Sequence, residues 1–147
     1  MREALDAYLS MLQTHPTADE MIGVVLTADF ETGFAGGHLW EGREGLADFL
    51  SQREGFFDER HELKEIIDWR QTSDAEAEAK TRLEFFLRSW KPPAPKSSEY
   101  TGDALHSWRL RREEHRWLVA AQIVDGFEDL NDNAQTLFAT PDSGLNR

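Results

Sequence analysis

Along the first fifty residues apolar side chains recur every three or four positions, and beyond residue 60 they recur every two. Leu5, Tyr8, Leu9 and Leu12 hold the i, i+3, i+4, i+7 spacing of one helix face, which predicts an amphipathic helix over residues 2–13. "THPTADEMIGVVLTADF" restarts the pattern. Thr17 with Glu20 three residues on forms a capping box, and Met21, Ile22, Val25 and Leu26 give a second helix its buried stripe. "DFETGF" reads as a short strand running into the glycines at 33, 36 and 37. A third helix is expected over "WEGREGLADFLSQREGFF", with Leu46, Phe49 and Leu50 inward and Gly55 ending it.

From "HELKEIIDWR" onward the period is that of a strand. The set His61, Leu63, Glu65, Ile67 and Trp69 alternates with polar neighbours and is expected to face inward. "QTSD" reads as a turn. "AEAEAKTRLEFFL" has the composition of a helix, yet at period two it puts Ala75, Ala77, Ala79, Thr81, Leu83, Phe85 and Leu87 on one face. The other face takes Glu76, Glu78, Lys80, Arg82, Glu84 and Phe86, so a long strand is predicted. "KPPAPKSS" is a loop, because its prolines remove donors and fix φ. A last hairpin turns at Arg112 to His115, with Ala104, His106, Trp108 and Leu110 inward on one strand and Trp117, Val119, Ala121, Ile123 and Asp125 on the other.

The order α-α-β-α-β-β-β-β predicts an α+β fold: three N-terminal helices packed on one face of a curved antiparallel sheet. Residues 1–140 are expected to form one domain, with Leu137 and Phe138 of "AQTLF" docking on it and 141–147 a flexible tail.

Composition narrows the chemistry. The absence of cysteine excludes disulfides, thiolate metal sites and cysteine nucleophiles. A formal charge of −12 argues against nucleic acid, whose binding draws on Lys and Arg against phosphate. The basic run Arg109, Arg111 and Arg112 faces Glu113 and Glu114 and reads as a hairpin end. No window approaches the ~18 apolar residues of a membrane span, and charges interrupt the N-terminal apolar positions, so no membrane partner and a cytoplasmic protein are expected. "HELKE" lacks the second His of a zinc-protease helix, and "TGFAGGHLWEG" lacks the pattern of a phosphate loop. Neither a metal nor a cofactor is expected.

The element order, "YLSMLQTHPTADEMIGVVLTADFETGF", "LWEGREGLADFL" and above all "EYTGDALHSWRLRREEHRWLVAAQIVD" together resemble the nuclear transport factor 2-like superfamily and its SnoaL-like branch. Strand, "TG", strand, basic turn, "RWLVA" and the following "VD" are similar to the β-subunits of aromatic-ring-hydroxylating dioxygenases, as is "EDLNDNAQTLF". The resemblance implies a cone whose apolar interior receives a small hydrophobic molecule. It also implies pairing of copies through the outer sheet face, where Phe86 and Trp90 are expected to support a homodimer.

Four ionisable groups fall on the inward parity: His61, Glu65, His106 and Asp125. A buried carboxylate or imidazole must be hydrogen-bonded or shift toward neutrality, which is how general acids and bases near neutral pH are made. A lone His on a strand is more often a satisfied core residue. The candidate catalytic set is His61 or His106 as base with Tyr8 or Asp125 orienting, in a pocket of Trp40, Leu63, Glu65, Leu83, Phe85, Trp108 and Ile123.

Comparison within the superfamily leaves each pattern incomplete. Arg82, Glu84 and Asp125 resemble an epoxide-hydrolase set but fall on the outward parity for the first two. Thr32 stands where isomerases carry their base, and dehydratases pair a strand His, here His61, with a first-helix Asp where this chain has Ser10, with Asp6 a turn earlier. Two readings follow. One is an accessory protein with an apolar pocket, related to the dioxygenase β-subunit; the other is a cofactor-free lyase or isomerase.

Overall fold

The computed structural model describes residues 2–139. Helix α1 (Arg2–Leu12) buries Leu5, Tyr8, Leu9 and Leu12, the stripe its spacing predicts. The capping box forms: the Glu20 N–H donates to Thr17 Oγ1 at 3.2 Å and the Thr17 N–H to Glu20 Oε1 at 3.3 Å. The helix it starts, α2 (Ala18–Met21), is only one turn long, whereas the spacing of Val25 and Leu26 predicts more. Gly23 at φ +83° turns the chain, and Leu26 opens β1 (Leu26–Phe34). Val25 and Leu26 are buried all the same, because burial rather than helicity set their spacing.

A short β2 (Leu39–Glu41) leads into α3 (Gly42–Gln52), which ends on Arg53 in a right-handed conformation rather than at Gly55. Four long strands follow: β3 (Phe56–Ser73), β4 (Glu76–Ser89), β5 (Ser98–Glu113) and β6 (Arg116–Glu128). Helix α4 (Asp132–Ala139) closes the described chain, started by Asn131 Oδ1, which accepts from the Ala134 N–H at 2.9 Å. The expected tail at 141–147 lies outside the described residues. Among the described residues no helix is long and apolar enough to cross a membrane.

The six strands form one curved, open sheet in the order β2-β1-β6-β5-β4-β3. It is antiparallel throughout except where β1 lies parallel to β6. The expectation of a wholly antiparallel sheet came from the hairpins of the second half. No hairpin constrains β1 against β6, which lie far apart in the chain.

On β4 the period-two reading holds: Ala77, Ala79, Thr81, Leu83, Phe85 and Leu87 are buried, so tertiary context overrides the helical composition. Ala75 is the exception, exposed in the tight turn to β3. On β3 and β6 bulges reset the parity. Between Leu63 and Glu65 the register slips, so Glu65 pairs with Arg82 on the outer face while Ile66 takes the inward place opposite Thr81. Ile67 is therefore half exposed, and a second slip returns Trp69 to the inner face opposite Ala79.

On β6, Val119 pairs with Leu110 but Ala121 pairs with the outward Arg109, leaving Ala120 as the extra residue. Gln122 and Val124 thereby turn inward, opposite Trp108 and His106, while Ala121 and Ile123 turn outward. A further slip at Asp125 restores Phe127 to the inner face, opposite Ala104.

Candidate functional site

Between α1, α3 and the concave face of the sheet lies a cavity of about 80 Å³. Its walls are mostly apolar, supplied by Leu9 and Leu12 of α1, Phe49 of α3, and Leu83, Phe85 and Leu87 of β4. Phe127 of β6 and Phe138 of α4 stack face to face beside it, with ring centres 4.2 Å apart. Two polar clusters interrupt this lining.

The first is a hydrogen-bonded chain. Tyr8 Oη donates to Gln122 Oε1 at 3.0 Å, and Thr32 Oγ1 lies 3.4 Å from the same oxygen. The Gln122 amide Nε2 in turn lies 3.0 Å from Nδ1 and 3.3 Å from Nε2 of His106, and donates to whichever of them lacks the ring proton. A neutral ring offers this amide one acceptor nitrogen and keeps its single proton on the other. Neutral it is: burial holds this imidazole far below its ordinary value, at about 3, and the nearby His61 adds to the effect. Burial likewise pushes the Tyr8 hydroxyl well above the usual phenol range.

The second cluster is ionic. Glu59 has a side chain fully removed from solvent, with Arg53 Nη2 on its Oε2. His61 Nε2 stands 3.3 Å from the same oxygen, and His15 Nε2 is 2.9 Å from Oε1 without being aligned as a hydrogen bond. Arg53 also lies over the Phe49 ring, its guanidinium carbon 5.5 Å from the centre. Burial lowers the His61 pKa below its ordinary value, partly offset by its bond to Glu59. With Nε2–H committed to the carboxylate, Nδ1 carries the bare lone pair, and this buried atom has no partner. Among the described residues no group of three or more His, Asp or Glu side chains is placed to hold a metal ion.

The candidates named from the sequence separate in space. His61, His106, Leu83 and Phe85 line the cavity, and Tyr8 reaches it through Gln122. Leu63 and Trp108 are buried outside its lining, Trp108 donating from Nε1 to Thr81 Oγ1 at 2.8 Å. Trp40 packs behind the wall, 5.3 Å from Phe49 ring to ring. Glu65, Ile123 and Asp125 are corrected to the outer face by the bulges, and Asp125 there accepts from Ser107 Oγ at 2.5 Å. Arg82 and Glu84 are outside too, Arg82 on Glu128 at 2.7 Å, so that hydrolase-like set does not face the cavity. Ser10 and Asp6 lie on the exposed side of α1, and Glu59 takes the place of a first-helix carboxylate beside His61.

Sequence reasoning passed over Arg53, Glu59 and Gln122. Glu59 shares the parity of His61 and was within reach of the alternation argument. Gln122 was hidden by the bulge, and Arg53 lies beyond a helix end, where no period applies.

No family model matches the chain, and no curated protein matches it in sequence. Solved structures do match. A protein of Novosphingobium aromaticivorans assigned provisionally as a scytalone dehydratase superposes with TM-score 0.73 at 15% identity, over 89% of this chain and 83% of its own. Another from that organism, provisionally an aromatic ring hydroxylase, gives 0.72 at 17%, over 90% and 92%. A type 2 hexachlorocyclohexane dehydrochlorinase gives 0.69 at 10%, over 88% and 84%.

The chain has a nuclear transport factor 2-like fold. Identities this low establish the fold alone. Within a nuclear transport factor 2-like fold the chemistry is set by which side chains line the cone, and here these are two imidazoles, an amide and the Arg53 guanidinium, itself paired with buried Glu59, among phenyl rings.

Proposed function

We propose that this protein is a cofactor-free lyase or isomerase that moves a proton on a small, largely apolar molecule held in the cone. The observation that carries the reading is His61: its Nε2 sits on a buried carboxylate while its buried Nδ1 lacks any partner. A neutral imidazole with one free lone pair and an anion behind it is a general base, since Glu59 stabilises the imidazolium formed when Nδ1 takes a proton. His106 suits a different task. An imidazole that protonates only near pH 3 is a feeble base at neutral pH, but its ring can hold a polar group of the ligand in place, itself positioned by Gln122 and Tyr8.

The cavity is small beside the roughly 300–1,000 Å³ of pockets for drug-sized ligands, so the substrate is compact and its apolar part packs on Leu83 and Phe85. The dehydratase and dehydrochlorinase among the structural neighbours carry names of elimination chemistry, which starts with such a proton abstraction. A purely structural role, as in a dioxygenase β-subunit, gives no reason to bury an imidazole with one nitrogen on a carboxylate and the other without a partner. On the outer face Phe86 lies between Arg60 and Arg88, 4.5 and 5.2 Å from its centre, and Trp90 is half exposed; a homodimer through this face belongs to the same proposal.

The test is a panel of small carbonyl and β-substituted apolar compounds in deuterated water, followed by NMR for hydrogen–deuterium exchange or loss of a leaving group. The wild type is expected to act on at least one compound it binds, and His61→Gln to bind it without acting. Binding with no exchange or elimination across the panel returns the protein to the class of ligand carriers.

A further inference from the structure

Two cavities meet at one buried ion pair. The inner one is the candidate site. The second, about 270 Å³, is lined by His15, Thr17, Ala47 and Glu54 and shares Leu12 and Arg53 with the first as common wall. Glu59, paired with Arg53, spans the two polar environments: Oε2 faces His61 of the inner cavity and Oε1 faces His15 of the outer one. His61 has 8% of its side chain exposed and His15 35%, so the carboxylate links a buried imidazole to one that water reaches.

The backbone at His15 adds an independent reason to look for a role. It follows α1 with φ +54°, a left-handed conformation that glycine or asparagine adopts most easily after a helix. The residue placed there instead carries an imidazole, and it reaches to within 2.9 Å of a fully buried carboxylate oxygen that makes no hydrogen bond. A structural ion pair with Arg53 alone needs no second histidine on the solvent side.

We propose that Glu59 and His15 form a proton relay between the His61 imidazole and solvent. The inference rests on the reading of His61 as a general base. When Nδ1 takes a proton from the bound molecule, the imidazolium passes its Nε2 proton to Glu59 Oε2. The carboxyl, now neutral and protonated on Oε2, turns about its Cγ–Cδ bond to present that same proton to His15 Nε2, and His15 releases one to water. His61 is then neutral with its proton on Nδ1, and the cavity has discharged a positive charge while still occupied. After product leaves and water enters, Nδ1 gives its proton to that water while one returns through His15 and Glu59 to Nε2, restoring the starting tautomer. In an elimination that expels an anion the net result is one proton released per turnover, balancing that anion; in an isomerisation the same route runs back and the product regains a proton. The groups facing Glu59 are Arg53 from the end of α3, His61 from β3 and His15 from the α1–α2 connection, with Tyr8 of α1 close enough to feel its charge.

The relay is tested without a substrate by following solvent exchange of the His61 Nε2 proton in ¹⁵N-histidine-labelled protein by NMR. His15→Asn keeps a residue that tolerates the left-handed backbone and removes the outer acceptor. Exchange is expected to slow by at least about tenfold, the scale on which a placed acid or base acts, with backbone amide exchange in the sheet unchanged. Added free imidazole should restore part of the rate in the variant. Equal rates in wild type and His15→Asn, in two folded proteins, overturn the relay. His15→Ala serves as the second variant should the asparagine pair with Glu59. The two readings fail separately: a response of His61 exchange with no turnover on any compound sinks the enzyme alone, and turnover with unchanged exchange sinks the relay alone.

Discussion

Glu59 and His61 stand two residues apart on β3 and point the same way, bringing Oε2 and Nε2 within 3.3 Å inside the cone. One strand thus supplies both the carboxylate and the imidazole that a general base needs, with no contribution from a second element. Arg53 completes the arrangement by neutralising the carboxylate from the end of α3.

Removing that carboxylate's charge leaves Arg53 buried and alone. Glu59→Gln is expected to destabilise the fold by about 3–5 kcal/mol in chemical denaturation, the cost of an orphaned interior charge. The double change Arg53→Met with Glu59→Gln should recover much of it. A single variant as stable as wild type would mean that water already solvates the pair.

Stability is expected to fall with acid through the buried histidines. The His106 pKa lies at about 3 folded against about 6.5 unfolded, so below pH 6.5 the unfolded chain binds a proton that the native state refuses. The contribution is fully present at neutral pH and is lost as pH falls from 6.5 toward 3, amounting to about 3 kcal/mol by pH 4. His61, lowered in the same direction, adds to it. Denaturation midpoints of wild type and His106→Gln at pH 7 and pH 4 check this; parallel acid losses would show that His106 is charged in the folded protein.

The β3 bulges make apolar residues of one sequence parity unequal. Ile67→Ala should change stability by no more than about 0.5 kcal/mol, because Ile67 is 51% exposed. Leu63→Ala should cost about 2–5 kcal/mol, as a deletion in a closed core does. Strict alternation along the strand makes Ile67 a core residue, so a large loss there would revive that register.

Tyr8→Phe removes the donor that holds Gln122. A loss of about 1 kcal/mol is expected, the net worth of one buried hydrogen bond, and the His106 ring resonances should shift as the amide that bonds the ring is released. Unchanged His106 signals would show that Thr32 alone fixes the amide.

Leu83→Ala should trade stability for room. The change costs about 2–5 kcal/mol and enlarges the cavity beside Phe85. Bulkier apolar ligands should then bind more tightly than to wild type, measured by titration calorimetry. A variant with no altered size preference would place the ligand elsewhere.

Much of this architecture was written in short-range pattern. The stripe of α1, the capping box at Thr17 and the buried parity of β4 from Ala77 to Leu87 each depend on neighbours within a few residues, and each formed as its spacing required. The resemblance to the nuclear transport factor 2-like fold, carried by element order, agrees with the superpositions. His61, His106, Leu83 and Phe85 were reachable because an unbroken alternation leads to them.

What local sequence left open was where that alternation breaks and what meets across it. A bulge depends on the curvature of the whole sheet, so nothing near Glu65, Ile123 or Asp125 marks their turn to the outer face, and nothing near Gln122 marks its turn inward. The Arg53–Glu59–His15 contacts join a helix end, a strand and a loop, positions with no common period. Periodicity therefore determined which residues are buried, while closure of the curved sheet over α1 and α3 decided which buried residues touch, because hydrophobic spacing is local and the packing of ionisable groups is not.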